Sequence, residues 1–198
     1  LFSRYVSGGS TDQFPDIKKL YDRFPSNIKE SSYGKSIAYV MESEINIYIG
    51  AEAIDFIAIN RQGDTIRLSD FKNKKYVLLD FWGTWCMPCL KIIPALYKIN
   101  NRYRNKLEVI SIAYRDKEAD WDAVIRKDHM DWSQILDNDG PNKIFPSSGM
   151  ITDSYYISEF PSLILIDRNH KIIQLFGGEG KNKSPIESLD KELEKILQ

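Results

Sequence analysis

The sequence predicts an α/β protein with a mixed central sheet flanked by helices. An apolar run at 76–82, a helical segment at 90–104 and a β-rich run at 107–114 follow the order strand, helix, strand. That order is typical of a parallel βαβ unit with a buried sheet. Further along, runs at 163–166 and 171–176 flank a turn-like tetrad and predict an antiparallel hairpin. Parallel and antiparallel pairs together make the sheet mixed.

Residues 1–48 are predicted to form a helical appendage in front of the main domain at 49–198. The lead at 1–13 is rich in Ser and Gly and is expected to be flexible. Apolar residues at helical spacing predict one helix over 14–24 and, after Pro25, a second over 27–43. This pair is too small to bury a core by itself.

Local patterns also predict the remaining elements of the main domain. Runs at 56–60 and 65–68 surround a Gln-Gly-Asp turn and predict a hairpin in front of the βαβ unit. A helix is expected at 119–127 and a short strand at 133–136. The segment 137–148 is rich in Asp, Asn, Gly, Pro and Ser, which predicts a loop.

The chain closes with a predicted amphipathic helix. Ser184 and Glu187 have the spacing of a capping box, with Pro185 at the first helical position. Leu189 and Leu193 then share one apolar face.

The composition gives no support for some classes of function. The chain has 27 basic and 28 acidic residues, so charge gives no argument for binding nucleic acid or an anionic membrane. No apolar stretch approaches the length that crosses a bilayer. The chain begins at Leu1 without a basic-then-apolar signal pattern, and we expect it to be a processed or trimmed piece of a longer protein.

The only two cysteines, Cys86 and Cys89, form one Cys-x-x-Cys motif where a strand ends and a helix begins. Helix-terminal N–H groups stabilise a thiolate there, and a dithiol at this spacing can close into a disulfide. Half of a zinc site is the alternative, but zinc needs two further ligands. Only His129 and His170 remain, both in turn-like settings where we expect surface residues. The motif therefore predicts redox chemistry with no metal and no cofactor.

Three segments of the chain resemble the thioredoxin-like thiol-disulfide oxidoreductases of the TlpA/ResA (AhpC/TSA-related) family. Residues 80–89, with Pro94 behind them, are similar to the thioredoxin active-site segment. The apolar run that Phe160 and Pro161 open is similar to the cis-proline loop of that fold. The lead-in is similar to that of the family through Gly50, Ala53, Asp55, Phe56, Gly63 and residues 68–71.

The resemblance implies a thioredoxin fold with an N-terminal β-hairpin, and the appendage resembles the tail of the extra domain that some long members carry. It also implies an extracytoplasmic location, in a bacterial periplasm or anchored to a membrane and facing it. The implied partners are disulfide-containing or dithiol proteins and an upstream thiol electron donor. The oligomeric state stays open.

The cysteines and one carboxyl are the predicted catalytic residues. Cys86 would attack a substrate disulfide, and Cys89 would resolve the mixed disulfide. Asp80 is an isolated charge in an apolar strand, so it is expected to be neutralised or functional, the alternative being an outward, solvated carboxylate. It matches the buried aspartate that accepts the resolving cysteine's proton in thioredoxins. Many TlpA/ResA relatives carry a catalytic glutamate where this chain has Ile92.

Four residues are predicted to form the substrate-binding surface. Pro161 is the candidate cis-proline, the alternative being a trans proline that merely starts a strand. Phe160 precedes it, where the family pairs its backbone with the substrate peptide. Trp85 offers apolar surface next to the nucleophile. Pro88 stiffens the turn between the cysteines.

The predicted activity is thiol-disulfide exchange, more specifically the reduction of protein disulfides. A peroxiredoxin-like peroxidase is an alternative, but it needs Thr or Ser three residues before its reactive cysteine, where this chain has Gly83. A non-catalytic thioredoxin-like binding module is another. The intact set of Asp80, both cysteines, Pro88 and Pro161 argues against a degenerate site.

Overall fold

The computed structural model describes residues 19–138, 150–177 and 185–197. The chain divides into two compact units, with the boundary between Tyr48 and Ile49. The predicted lead, the start of the first helix, most of the 137–148 loop and Ser184 lie outside the described residues. That the first unit is the tail of a larger domain stays a prediction.

In its described part, the first unit consists of helical segments joined by short turns. A helical turn at 19–22 is followed by α1 (Ser26–Lys29) and α2 (Ser32–Asn46). The prediction of one continuous helix over 27–43 is therefore wrong. The cause is Ser31, whose Oγ accepts the N–H of Gly34 at 3.1 Å and caps the start of α2.

The second unit contains a two-stranded hairpin and a five-stranded sheet. A short 3₁₀ helix, Leu68–Phe71, follows the hairpin. The strands and helices are β1 (Ile57–Ile59), β2 (Thr65–Arg67), β3 (Tyr76–Trp82), α3 (Met87–Tyr103), β4 (Leu107–Tyr114), α4 (Glu118–Lys127), β5 (Ser133–Asp137), α5 (Ile151–Ser154), β6 (Ser162–Ile166), β7 (Ile172–Gly177) and α6 (Pro185–Ile196).

The five-stranded sheet has the order β5-β4-β3-β6-β7 and is mixed, as predicted. Strands β3, β4 and β5 are parallel neighbours. Strand β6 pairs antiparallel with β3 on its other side, and β7 pairs antiparallel with β6. The cysteine motif therefore follows the carboxyl end of the central strand β3.

Helices α3, α4 and α6 pack on one face of the sheet. The connections β3–α3–β4 and β4–α4–β5 step in the same direction across the sheet, so right-handed crossovers place both helices on the same side. The buried core on this side joins residues of β3, β4 and β6 to those helices. Its strand residues include Leu78 and Trp82, and Asp80 lies between them on the same face because side chains alternate along a strand.

The opposite face of the sheet is covered by the lead-in and by the region of α5. The ring of Tyr155 lies 5.7 Å from that of Phe81, and its hydroxyl donates to the carbonyl of Ile54 at 2.7 Å. Asp137 accepts hydrogen bonds from the backbone N–H groups of Ile151 and Thr152 at the start of α5. Because β3, β4 and β5 are parallel, the loops that follow them begin at the same edge of the sheet.

Candidate active site

The cysteine pair lies at the first turn of α3, at the carboxyl end of β3. Cys86 is the N-cap residue, and its Sγ accepts the backbone N–H of Cys89 at 3.2 Å. A disulfide joins the two cysteines, whose Cα atoms are 5.2 Å apart. The helix begins at Met87, three residues before the predicted start, so the motif is part of the helix terminus itself.

The helix terminus gives the two sulfur atoms different surroundings. Cys86 receives an N–H group at the positive end of the helix, which stabilises a thiolate. Cys89 is one turn further in, with 1% of its surface exposed against 5% for Cys86. Pro88 occupies the first turn, where its missing N–H costs the helix no hydrogen bond. The pair can therefore perform thiol-disulfide exchange, with the outer sulfur better suited to attack.

Asp80 is buried on the face of β3 that carries the cysteine-containing core, which rules out the alternative of an outward, solvated carboxylate. Its Oδ2 accepts the hydroxyl proton of Ser111 at 2.7 Å. Its Oδ1 is buried and has no hydrogen-bond partner among the described residues. Burial raises the pKa of Asp80 to about 7, and the Ser111 hydrogen bond opposes that rise. The carboxyl can therefore exchange a proton near neutral pH.

The peptide bond between Phe160 and Pro161 is cis. Pro161 is buried and Phe160 half-buried at the start of β6. The Phe160 ring makes an edge contact with Trp85, with centroids 5.1 Å apart, and stacks on Tyr114 at 5.6 Å. The fold thus brings Trp85 and Phe160 together, and it adds Tyr114, the last residue of β4.

Trp85 is half exposed but held in place. Its Nε1–H donates to the carbonyl of Tyr114 at 3.2 Å. The indole lies against Gly83, where an added Cβ would come within 2.6 Å of the ring. We name Trp85, Phe160 and Tyr114 the aromatic wall. Met87, with 63% of its surface exposed, lies next to Cys86 in sequence.

Asp116 fastens the loop in front of the cysteines. Its carboxylate accepts the backbone N–H of Thr84 at 2.5 Å, the Thr84 hydroxyl at 2.7 Å and the N–H of Lys117 at 2.9 Å. Asp116 is 7% exposed, because the active-site loop folds over it. Nothing in its local pattern distinguishes it from Glu118 or Asp120.

The two histidines differ from each other. His129 is exposed, as expected. His170 is 4% exposed, and its Nε2 lies 3.0 Å from the carbonyl oxygen of Leu68. The expectation of a surface His170 is wrong because the 3₁₀ helix covers the β6–β7 turn. Among the described residues, no three potential metal ligands cluster together, and no helix is long and apolar enough to cross a membrane.

Comparisons with known proteins agree with this geometry. The family model described as AhpC/TSA matches residues 49–184. The chain is 30% identical over 154 residues to the thiol-disulfide oxidoreductase ResA of Bacillus thuringiensis, covering 77% of this chain and 81% of that protein. It is 29% identical over 149 residues to the thioredoxin-like protein YneN of Bacillus subtilis, covering 75% and 83%.

A solved structure shows the same architecture. The thioredoxin domain of a thiol-disulfide oxidoreductase from Bacteroides vulgatus matches with a TM-score of 0.58 at 27% identity. The match covers 74% of this chain and 98% of that domain. The predicted thioredoxin fold is therefore confirmed.

Proposed function

The chain belongs to the AhpC/TSA family and is a thiol-disulfide oxidoreductase, and from this premise we propose that it reduces disulfide bonds of protein substrates. The observation that carries the proposal is the Cys86–Cys89 disulfide at the N-terminus of α3, with the N–H of Cys89 directed at the outer sulfur. This is the oxidised state that such a reductant reaches after one turnover.

The reduced protein would react in two exchange steps. The Cys86 thiolate attacks a substrate disulfide, a Cys86–substrate disulfide forms, and the first substrate sulfur leaves as a thiolate. Cys89 then gives up its proton and attacks Cys86 Sγ, which releases the second substrate thiolate and forms the Cys86–Cys89 disulfide. Two electrons pass from the protein to the substrate, and an upstream thiol donor restores the dithiol.

We assign the proton of Cys89 to Asp80. A thiol as buried as Cys89 is hard to ionise, because burial disfavours its charged form. A carboxyl with a pKa of about 7 in the same core is well matched to accept that proton at neutral pH. With isoleucine at position 92, no glutamate competes for this role one turn after Cys89.

The substrate surface in this proposal is the aromatic wall, together with Pro88 and Pro161. Trp85 and Phe160 offer apolar area whose geometry is already fixed, so binding costs them little conformational freedom. An apolar segment of a partner protein beside its disulfide fits this surface. We also place the protein outside the cytoplasm, as the family resemblance favours, with residues 1–48 as the tail of an upstream domain.

Insulin reduction by dithiothreitol-driven turnover tests the proposal. We expect Cys86→Ser to abolish the activity. Cys89→Ser, reduced beforehand and freed of dithiothreitol, should stop after one exchange and retain the substrate as a mixed disulfide that non-reducing gel electrophoresis detects. Activity unchanged by Cys86→Ser would overturn the assignment and favour the binding module. Peroxide consumption that exceeds disulfide reduction would favour the peroxidase.

A further inference from the structure

Two consecutive hydrogen bonds link Asp80 to a tryptophan two strands away. Trp132, immediately before β5, donates its Nε1–H to Ser111 Oγ at 2.8 Å. Ser111 in turn donates to Asp80 Oδ2 at 2.7 Å. All three residues are buried, and Ser111 is the register partner of Asp80 on the neighbouring strand.

The direction of this chain follows from the chemistry of its first member. An indole N–H can only donate, so Ser111 Oγ must act as the acceptor toward Trp132. A hydroxyl has one proton, and that proton is then directed at Asp80 Oδ2. If the carboxyl were protonated at Oδ2, the serine proton would have to find another acceptor in a buried site, at a cost.

We propose that Ser111 and Trp132 are positioning residues that keep Asp80 Oδ2 hydrogen-bonded and leave Oδ1 as the oxygen that takes the proton of Cys89. The proposal rests on the proposed role of Asp80 as proton acceptor. It gives the unpartnered, buried Oδ1 a function and assigns one to two residues that the catalytic motif does not include.

No charged group is among the causes that act on the pKa of Asp80, which are burial and the Ser111 hydrogen bond. The hydrophobic core that covers Asp80 contains three residues that can ionise, Cys86 and Cys89 on α3 and Tyr103 at the far end of that helix. On the flanking strands, the register neighbours of Asp80 are Ser111 and Leu163, and Gln134 lies beyond Ser111. His129 and Asp131, close to Trp132 in sequence, are exposed.

In these surroundings Ser111 is the group that offsets burial. Burial raises the pKa of Asp80 and the Ser111 hydrogen bond lowers it. Removing the hydroxyl therefore raises the pKa further, by about one unit for a hydrogen bond to a charged group. Removing the indole N–H of Trp132 lets the Ser111 hydroxyl rotate away from Asp80. This change therefore raises the pKa of Asp80 by a smaller amount than loss of the hydroxyl does.

The experiment is single-turnover reduction of dithiobis(nitrobenzoate) followed by stopped flow from pH 5.5 to 9. The first nitrothiolate released reports attack by Cys86, and the second reports attack by Cys89. We expect Ser111→Ala to move the pH midpoint of the second phase up by about one unit and to slow it about fivefold at pH 7. The first phase stays unchanged and serves as an internal control.

Three further variants separate positioning from packing. Trp132→Phe is expected to give a smaller upward shift of the pH midpoint than Ser111→Ala. Ser111→Thr keeps a hydroxyl and is expected to keep the wild-type midpoint. Trp121→Phe is the matched control, because Trp121 is also 5% exposed in the same core but its Nε1 has no partner among the described residues. We expect no shift from it.

Measuring the same substitutions in the Asp80→Asn variant decides between the possible outcomes. If Ser111→Ala shifts the midpoint there as well, or if Trp121→Phe shifts it as much as Trp132→Phe, the positioning role is overturned. A wild-type second-phase profile in Asp80→Asn alone would instead refute Asp80 as the acceptor. If Ser111→Ala does not fold, Trp132→Phe and Trp121→Phe carry the same comparison.

Discussion

The two sulfur atoms of the candidate active site lie in different surroundings, which we call the outer region around Cys86 and the inner region beneath Cys89. Around Cys86, half-exposed aromatic rings and backbone N–H groups meet at the carboxyl edge of the sheet. Beneath Cys89, an apolar core encloses a carboxyl with a single donor. In the proposed function the outer region recognises a partner, and the N–H of Cys89 stabilises a negative Cys86 sulfur there. The inner region makes ionisation costly, and in the proposed function it takes up the proton of Cys89. Separating the two tasks lets each sulfur be tuned independently.

The largest effect should come from neutralising the inner region. Asp80 has a pKa of 3.8 unfolded and about 7 folded, so between these values the unfolded chain binds fewer protons and wild-type stability falls as pH rises. Asp80→Asn removes this loss. We expect its advantage in free energy of unfolding over the wild type to grow by about 3 kcal/mol from pH 5 to pH 8. Urea denaturation of the oxidised proteins measures it, and a pH-independent difference would contradict a buried, titrating Asp80.

The next effect concerns the loop in front of the cysteines, which Asp116 holds in place. Asp116→Ala leaves the N–H and hydroxyl of Thr84 without their acceptor, which should destabilise the protein by about 2 kcal/mol. Thr84→Val removes only the hydroxyl bond, and we expect about half that loss. Equilibrium unfolding at pH 7 measures both. Equal losses in the two variants would mean that the Thr84 N–H bond contributes nothing.

The smallest effect should appear in the outer region alone. Phe160→Ala removes the central ring of the aromatic wall, and we expect it to raise the KM for insulin about fivefold, the equivalent of about 1 kcal/mol of lost contact. The rate with dithiobis(nitrobenzoate) should be unchanged, because that substrate needs no protein-sized surface. Tyr97→Ala, an exposed aromatic residue in the middle of α3, is the matched control. A change in KM with Tyr97→Ala as large as with Phe160→Ala would break the assignment.

Local sequence patterns were sufficient to predict the architecture and the redox role of the cysteine pair. The strand–helix–strand order and the β6–β7 hairpin came from hydrophobic periodicity and turn chemistry, which act over a few residues. The apolar neighbours of Asp80 correctly indicated that it is buried. These features need no knowledge of which strand lies beside which.

Residues that depend on strand neighbours escaped prediction. Ser111 and Trp132 meet Asp80 only through the β3–β4 register and the turn before β5, and Asp116 meets Thr84 across two strand ends. His170 has the positive φ of the predicted turn, yet a segment a hundred residues earlier buries it. Sequence position gives no signal for such contacts, because they form between elements far apart in the chain.

Substitution of Gly83 is a way to change the shape of the outer region. The indole of Trp85 occupies the space where a Cβ at position 83 would lie. The shape of the aromatic wall therefore depends on the absence of a side chain there. An alanine there would push the Nε1 edge of the indole away from position 83, at the cost of its hydrogen bond to Tyr114, and would open the surface without altering any residue of the wall itself. A designer seeking a broader range of client proteins would therefore change the glycine and keep the tryptophan.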